Sequence, residues 1–279
     1  MFSVFLHRLL IWTFICLGFS SKLYASNETQ RIVTLSPHLA EIVFELDKSD
    51  ALVAVSAYSD YPKSLLNLPQ VAGYQGADIA EIVRLAPTHV LVWQGGNKSA
   101  DIAKLESLGL NVYQSSILTI DNLFSEINQI GKFIEAKDKA RALTSKLKKA
   151  LAGVDTPSSP VSAVYYLNTS PLVGLGSDPW LNSLLSTCNI QNLFQESSSP
   201  YPQLSLSEIL RRQPQLLLAA DGRDKAFHQS FWSDHASYLK SSIIILNPDE
   251  MHRFTPRAVY ATINLCASII DQGQYKNEN

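Results

Sequence analysis

The chain has 279 residues, 46% of them hydrophobic and 17% charged, with a formal net charge of −2. That length and composition fit one large or two medium folded domains, at roughly 100–200 residues each, and exclude wholesale disorder. A mildly acidic chain without a basic patch also excludes nucleic acid as its natural partner.

Residues 1–25 read as a secretory signal peptide, with cleavage expected after Ala25. A weakly basic start precedes an apolar run over residues 9–19 and a short polar end. A retained membrane anchor is the alternative, but a spanning helix needs about 20 apolar residues and this run supplies about 11. Cleavage takes Arg8 and Lys22 from the 23 basic residues, against 25 acidic ones, and leaves a charge of −4. It also removes Cys16. In an oxidising compartment the remaining Cys188 and Cys266 are either a disulfide or two buried thiols.

From residue 26 the pattern alternates. Strands are predicted over 31–35, 51–55, 89–93 and 110–113, and helices over 38–46, 79–85 and 100–108. This is the rhythm of a parallel sheet with helices on its faces. Residues 119–153 carry no strand signal. Two amphipathic helices are predicted there, over 121–134 and 138–151, and the second reads as a stiff link between lobes that permits little hinge closure. The rhythm then restarts. Strands are predicted over 161–167, 216–220 and 243–246, and helices over 180–186, 206–212, 227–239 and 256–270. The expected organisation is an N-terminal lobe over 26–136, a linking helix over 137–155 and a C-terminal lobe over 156–279. The fold class is α/β: two similar lobes with central, mainly parallel sheets, joined by one long rigid helix.

A repeat supports the two-lobed reading. Residues 81–92 read E-I-V-R-L-A-P-T-H-V-L-V and residues 208–219 read E-I-L-R-R-Q-P-Q-L-L-L-A. Each looks like a helix end, a proline stop and a short apolar strand. Two similar α/β halves leave a cleft between them, and clefts are where small ligands bind.

The residues that stand out for chemistry are aromatic and lie just past predicted strands: Tyr58, Tyr61, Tyr74, Trp93 and Tyr201. Open α/β sheets bind ligands outside the carboxyl ends of their strands, and a set of aromatics there suits a large, partly flat ligand. Asp249 and Arg253, four apart after the last strand, share a face if helical and could hydrogen-bond ligand amides or phosphate. No G-x-S-x-G, P-loop or H-E-x-x-H is present, and no close histidine pair suggests a metal. A secreted α/β hydrolase would have to use Ser36 or Ser59 with His38 or His252. We therefore expect no enzyme, no catalytic residues and no cofactor.

These motifs, taken together, resemble the cobalamin-binding branch of the helical-backbone (class III) substrate-binding proteins of ABC importers. The resemblance rests on residues 31–37 (R-I-V-T-L-S-P), 58–62 (Y-S-D-Y-P), 74–76, 93–97 (W-Q-G-G-N), 200–203 and 249–257. It implies a periplasmic, monomeric receptor that carries cobalamin (vitamin B12) or another corrinoid as cargo to an inner-membrane permease with its ATPase. Tyr58, Tyr74 and Trp93 would contact the corrinoid from one lobe, and Tyr201, Asp249 and Arg253 from the other. It also implies the Cys188–Cys266 disulfide. A ferric-siderophore or haem binder is the alternative within the fold. The family has tryptophan where this chain has Tyr74 and Tyr201, phenylalanine near Val173, and an aromatic pair at Glu250-Met251, so this pocket is more polar. His252 is a further departure. The family's permease-docking glutamates fall at Ala80 and Ser207, whereas the acids here are Glu81 and Glu208, one residue later. Glu81 and Glu208 are expected either to dock the permease or to cap their helices.

Overall fold

The structure, a computed structural model, describes residues 29–276, with side chains described as far as 271. The expected signal segment lies outside them. Two sheets organise the described chain. The first runs β4 (Gly76–Ala77), β3 (Gln70–Gly73), β2 (Leu52–Ser56), β1 (Ile32–Thr34), β5 (His89–Trp93), β6 (Val112–Ser115). All its neighbours are parallel except the β3–β4 hairpin. Helices α1 (Pro37–Glu45), α2 (Ile79–Arg84) and α3 (Ser99–Ser107) connect the strands. Val33, Val90, Leu91 and Val92 are all buried, as expected of central strands covered on both faces.

Two antiparallel-packed helices follow, α4 (Ile120–Phe133) and α5 (Lys137–Ala152). Gly131 lets them touch, because a Cβ there would collide with the Ala140 methyl. At 1.5 Å per residue the 16 residues of α5 span about 24 Å.

The second sheet runs β11 (Ser242–Ile245), β10 (Leu216–Ala219), β7 (Val161–Thr169), β8 (Leu172–Gly174). Strand β9 (Ile190–Asn192) pairs the first part of β7 in parallel, and β8 pairs its last part antiparallel. Helices α6 (Pro179–Thr187), α7 (Leu206–Arg212), α8 (Lys225–Trp232), α9 (Pro248–Met251) and α10 (Pro256–Lys276) complete this lobe. Cys188 and Cys266 form a disulfide that pins the end of α6 to α10, with Cα atoms 4.9 Å apart.

The repeat extends to the backbone. In both lobes its helix precedes a central strand, β5 or β10. The residue before its proline, Ala86 or Gln213, takes the left-handed conformation at the helix end, with φ of 44° and 51°. A left-handed cap followed by proline stops a helix sharply.

The long predicted elements match within two residues at most ends. The helix expected over 227–239 is shorter: α8 ends at Trp232 and a 3₁₀ turn covers Ser233–His235. There Ser233 Oγ donates to the Ser230 carbonyl, a local bond that competes with helix continuation. Strands β3, β4, β8 and β9 and helix α9 went unpredicted. Each has only two to four residues, too few to show a period.

One continuous core crosses both lobes. It joins Ile42 of α1, Ile127 of α4, Leu147 of α5, Tyr165 of β7, Leu218 of β10 and Leu265 of α10. The linking helices are therefore part of a shared interior.

Candidate functional site

The C-terminal ends of β1, β2, β3 and β5 lie along one edge of the first sheet, which carries Tyr58, Tyr61 and Tyr74 on its loops and Trp93 at the end of β5. Tyr58 follows β2 at a φ of 63°, a conformation uncommon for any non-glycine residue and costly for a bulky one. It is 74% exposed. Tyr74 follows β3 and is 87% exposed, with its hydroxyl accepting from Gln75 Nε2 at 3.0 Å. The uncovered ring faces of these two tyrosines are free to supply contact area to a ligand.

Trp93, at the end of β5, is half-buried, and its motif explains why. The indole lies against the backbone of Gly95 and Gly96, where an added Cβ would collide with it. Asn97 closes the loop: its Oδ1 accepts from the Trp93 amide at 2.7 Å and its Nδ2 donates to the Leu35 carbonyl at 2.8 Å. The Trp-Gln-Gly-Gly-Asn sequence is a clamp that fixes one indole.

Across from it, the loop after β11 reaches over from the second lobe. Phe254 stands edge-on to Trp93, His38 and Trp180, at 5.5, 5.1 and 5.0 Å between ring centres. Trp93, Trp180, Phe254, Ile117, Leu118 and Asp178 line a cavity of about 210 Å³ between the lobes. Tyr201 is 46% exposed and donates its hydroxyl to Asp178 at 2.8 Å. Burial and then this carboxylate hold the phenol well above its ordinary pKa, so it stays a neutral donor. Beneath it, the buried Tyr165 hydroxyl meets His252 Nε2 at 2.8 Å. Burial lowers the His252 pKa against the opposing pull of Asp178 and Asp249. Met251, at one of the positions where the family is aromatic, turns into the core; its carbonyl accepts from Trp180 Nε1 at 2.9 Å.

Arg253 joins the lobes. Its Nη1 donates to Glu41 of α1 at 2.9 Å and to Asp60 at 2.6 Å, and its Nη2 to Asp249 at 3.2 Å. Burial disfavours its charge, but the bonds to Asp60 and Glu41 outweigh this and raise its pKa. Arg257 forks onto Glu41 at 2.7 and 2.9 Å and covers the Tyr61 ring at 3.9 Å. Asp249 and Arg253 do pair four residues apart. Glu41, Asp60, Asp178, Trp180 and Phe254 escaped sequence reading. An acid inside the apolar run of α1 was the signal for Glu41, and Asp60 lies inside the Tyr-Ser-Asp-Tyr-Pro motif itself.

Ser36 Oγ and His38 Nδ1 are 2.6 Å apart, but both residues are buried. Burial, then the charge of Arg253, pushes the His38 pKa down to about 3, far from the range of a working general base. No carboxylate orients the ring, and its Nε2 has no partner among the described residues. Ser59 bonds Ser56 at 3.1 Å instead of a histidine. Among the described residues no cluster of histidine, cysteine and carboxylate groups could hold a metal ion.

Glu81 and Glu208 occupy the first turns of α2 and α7. Asp78, not Glu81, caps α2, by accepting from the Glu81 amide at 3.0 Å. Glu81 instead binds Arg84 at 2.5 and 2.7 Å, and Glu208 binds Arg211 at 2.6 and 2.9 Å and Arg212 at 2.6 Å. Both glutamates keep the first-turn position where negative charge is favoured, and each also forms a matching Glu–Arg pair on its lobe. Hydrogen bonds from Arg211 and Arg212 lower the Glu208 pKa to about 2. A larger, open groove of about 670 Å³ lies between α4 and α5, lined by Lys132, Lys137, Arg141 and Lys148. It gathers polar surface but no aromatic platform.

Residues 32–237 match the family described as periplasmic binding protein. The vitamin B12-binding protein of Vibrio campbellii is 29% identical over 255 residues, covering 89% of this chain and 92% of its own. That of Vibrio cholerae is 30% identical over 264 residues, covering 93% and 95%. The solved periplasmic vitamin B12 binding protein of Vibrio cholerae aligns with a TM-score of 0.73 at 31% identity, covering 85% of this chain and 95% of its own. The periplasmic haem binding protein of that organism gives 0.74 at 20% identity, covering 86% and 99%, a likeness of fold alone.

Proposed function

Because the chain belongs to the periplasmic binding protein family, we propose that it captures cobalamin or a related corrinoid between its lobes and delivers it to an inner-membrane ABC importer. The lobes span residues 26–136 and 156–279, with residues 137–155 linking them, after removal of residues 1–25 in export. The corrinoid is cargo, neither cofactor nor substrate of catalysis, and the receptor works as a monomer.

The observation that carries this reading is the apposition of two unlike edges. One presents the aromatic faces of Tyr58, Tyr74 and the clamped Trp93. The other presents directed polar groups, Tyr201, Asp249 and Arg253. A corrin is a broad, partly flat macrocycle rimmed with amides, so it needs both apolar area and hydrogen-bonding partners. The cavity of about 210 Å³ beside Trp93 is too small for the whole ring, so most of the cargo would lie in the open cleft above it. Glu81 and Glu208 would dock the permease, one from each lobe, by exchanging Arg84 and Arg211 for arginines of the transporter.

Titration of the purified mature protein with cyanocobalamin, followed by tryptophan fluorescence and calorimetry together, tests the assignment. Saturable one-to-one binding, weakened by Trp93→Ala, is the expected outcome. No binding up to about 1 mM, weaker than about −4 kcal/mol, would sink it.

A further inference from the structure

The charges around Arg253 go beyond what is needed to hold two lobes together. Glu41 is almost fully buried and takes the fork of Arg257 together with one bond from Arg253. Those three groups alone form a complete joint with one positive charge in excess. Such a joint at the floor of a cleft would attract anions. Two more carboxylates change its sign. Asp60, with a side chain 47% exposed, bonds the same Nη1 of Arg253, and Asp249 takes the Nη2. Three carboxylates against two guanidiniums leave a net single negative charge. Asp60 comes from the first lobe, two residues from Tyr58 on the same loop, and its carboxylate stays partly open to solvent beside Arg253.

We propose that Asp60 is a specificity-determining residue that acts through Arg253 as a charge filter. It takes the N–H of the Arg253 Nη1 beside the one given to Glu41, which a carboxylate of the ligand would otherwise take. Macrocycles rimmed with carboxylates are excluded, and an amide-rimmed cargo without net charge is accepted. Like-charge apposition is a strong means of rejecting wrong partners, and it acts with little effect on neutral ones. This rests on the cargo reading above, and it explains how a chain sharing its fold with haem binders could discriminate against haem.

The test is paired titration of wild type, Asp60→Asn and Asp60→Glu with cyanocobalamin and with haemin, at low and high salt. In Asp60→Asn, haemin binding should tighten by about tenfold at low salt, with cyanocobalamin unchanged within about threefold, and the gain should shrink at high salt. Asp60→Glu, which keeps the charge, should retain the wild-type preference. A merely structural role for Asp60 would move both ligands together, and that result, or a haemin affinity insensitive to Asp60→Asn, overturns the filter. If wild type fails to bind cyanocobalamin, the cargo assignment falls separately. The haemin response to Asp60→Asn then decides the filter by the same criterion.

Discussion

On the N-terminal lip of the cleft Tyr58 and Tyr74 stand in solvent with their ring faces uncovered, whereas on the C-terminal lip Tyr201 and Arg253 are each tied to a carboxylate and Tyr165 to His252. The difference follows from where each lip gets its rigidity. The first relies on backbone: a left-handed Tyr58 and a glycine clamp under Trp93. The second relies on side-chain networks. Uncovered aromatic faces supply contact area to any flat ligand and discriminate little among them, while hydrogen-bonded polar groups supply direction and penalise a poor fit. The aromatic faces of the N-terminal lip should therefore set affinity, and the polar network around Arg253, with Asp60 reaching into it from the other lip, orientation and choice.

The most damaging change should be one that breaks the joint shared by the two lips. Glu41→Ala leaves Arg253 and Arg257 without their buried partner and should cost about 3–5 kcal/mol of stability in urea unfolding; a loss under about 1 kcal/mol would mean the joint is cosmetic. Next comes pH. Below pH 6.5 an unfolded His38 takes up a proton, while the folded one, buried beside Arg253, resists down to about 3. Stability should therefore fall as pH is lowered through that window, by about 1.4 kcal/mol per pH unit from this residue. His38→Gln should flatten that part of the profile, and an unchanged slope would remove His38 from the account. Smaller again is the split between the lips themselves. Tyr58→Ala should weaken cyanocobalamin by about 1 kcal/mol, and Tyr201→Phe, which keeps the ring and loses only the hydroxyl, should cost less in the same calorimetric series. The reverse ranking would overturn the division of labour. Least of all, Glu81→Gln with Glu208→Gln should leave cargo affinity unmoved while reducing stimulation of the transporter's ATPase.

Much of this was legible in the chain, and unevenly so. Strand β5 could be read as a short continuous apolar run bounded by breakers, and the helices α4 and α5 because their apolar positions recur over enough residues to define a period. The repeat of Glu81 through Pro87 at Glu208 through Pro214 announced the duplication before any geometry. The clamp around Trp93 was visible as a motif, yet its reason, an indole pressed on two glycines, appears only in the folded chain. Asp60, Phe254 and Trp180 were hidden because their roles depend on what faces them across the cleft, residues nearly 200 positions away for the Asp60–Arg253 bond. Local pattern carries no record of such distant partners.

The interior that runs unbroken from α1 through α4 and α5 to α10 has a consequence for how the molecule comes apart. Each lobe also has a smaller buried cluster of its own, around Val33, Val90 and Ile102 in one and Val164, Tyr166 and Trp232 in the other, but the larger interior is shared, so melting one lobe strips buried contacts from the other. Heating should give one transition, with calorimetric and van't Hoff enthalpies equal. A ligand held at the cleft would then raise the melting temperature of every part of the protein together, including helices far from it.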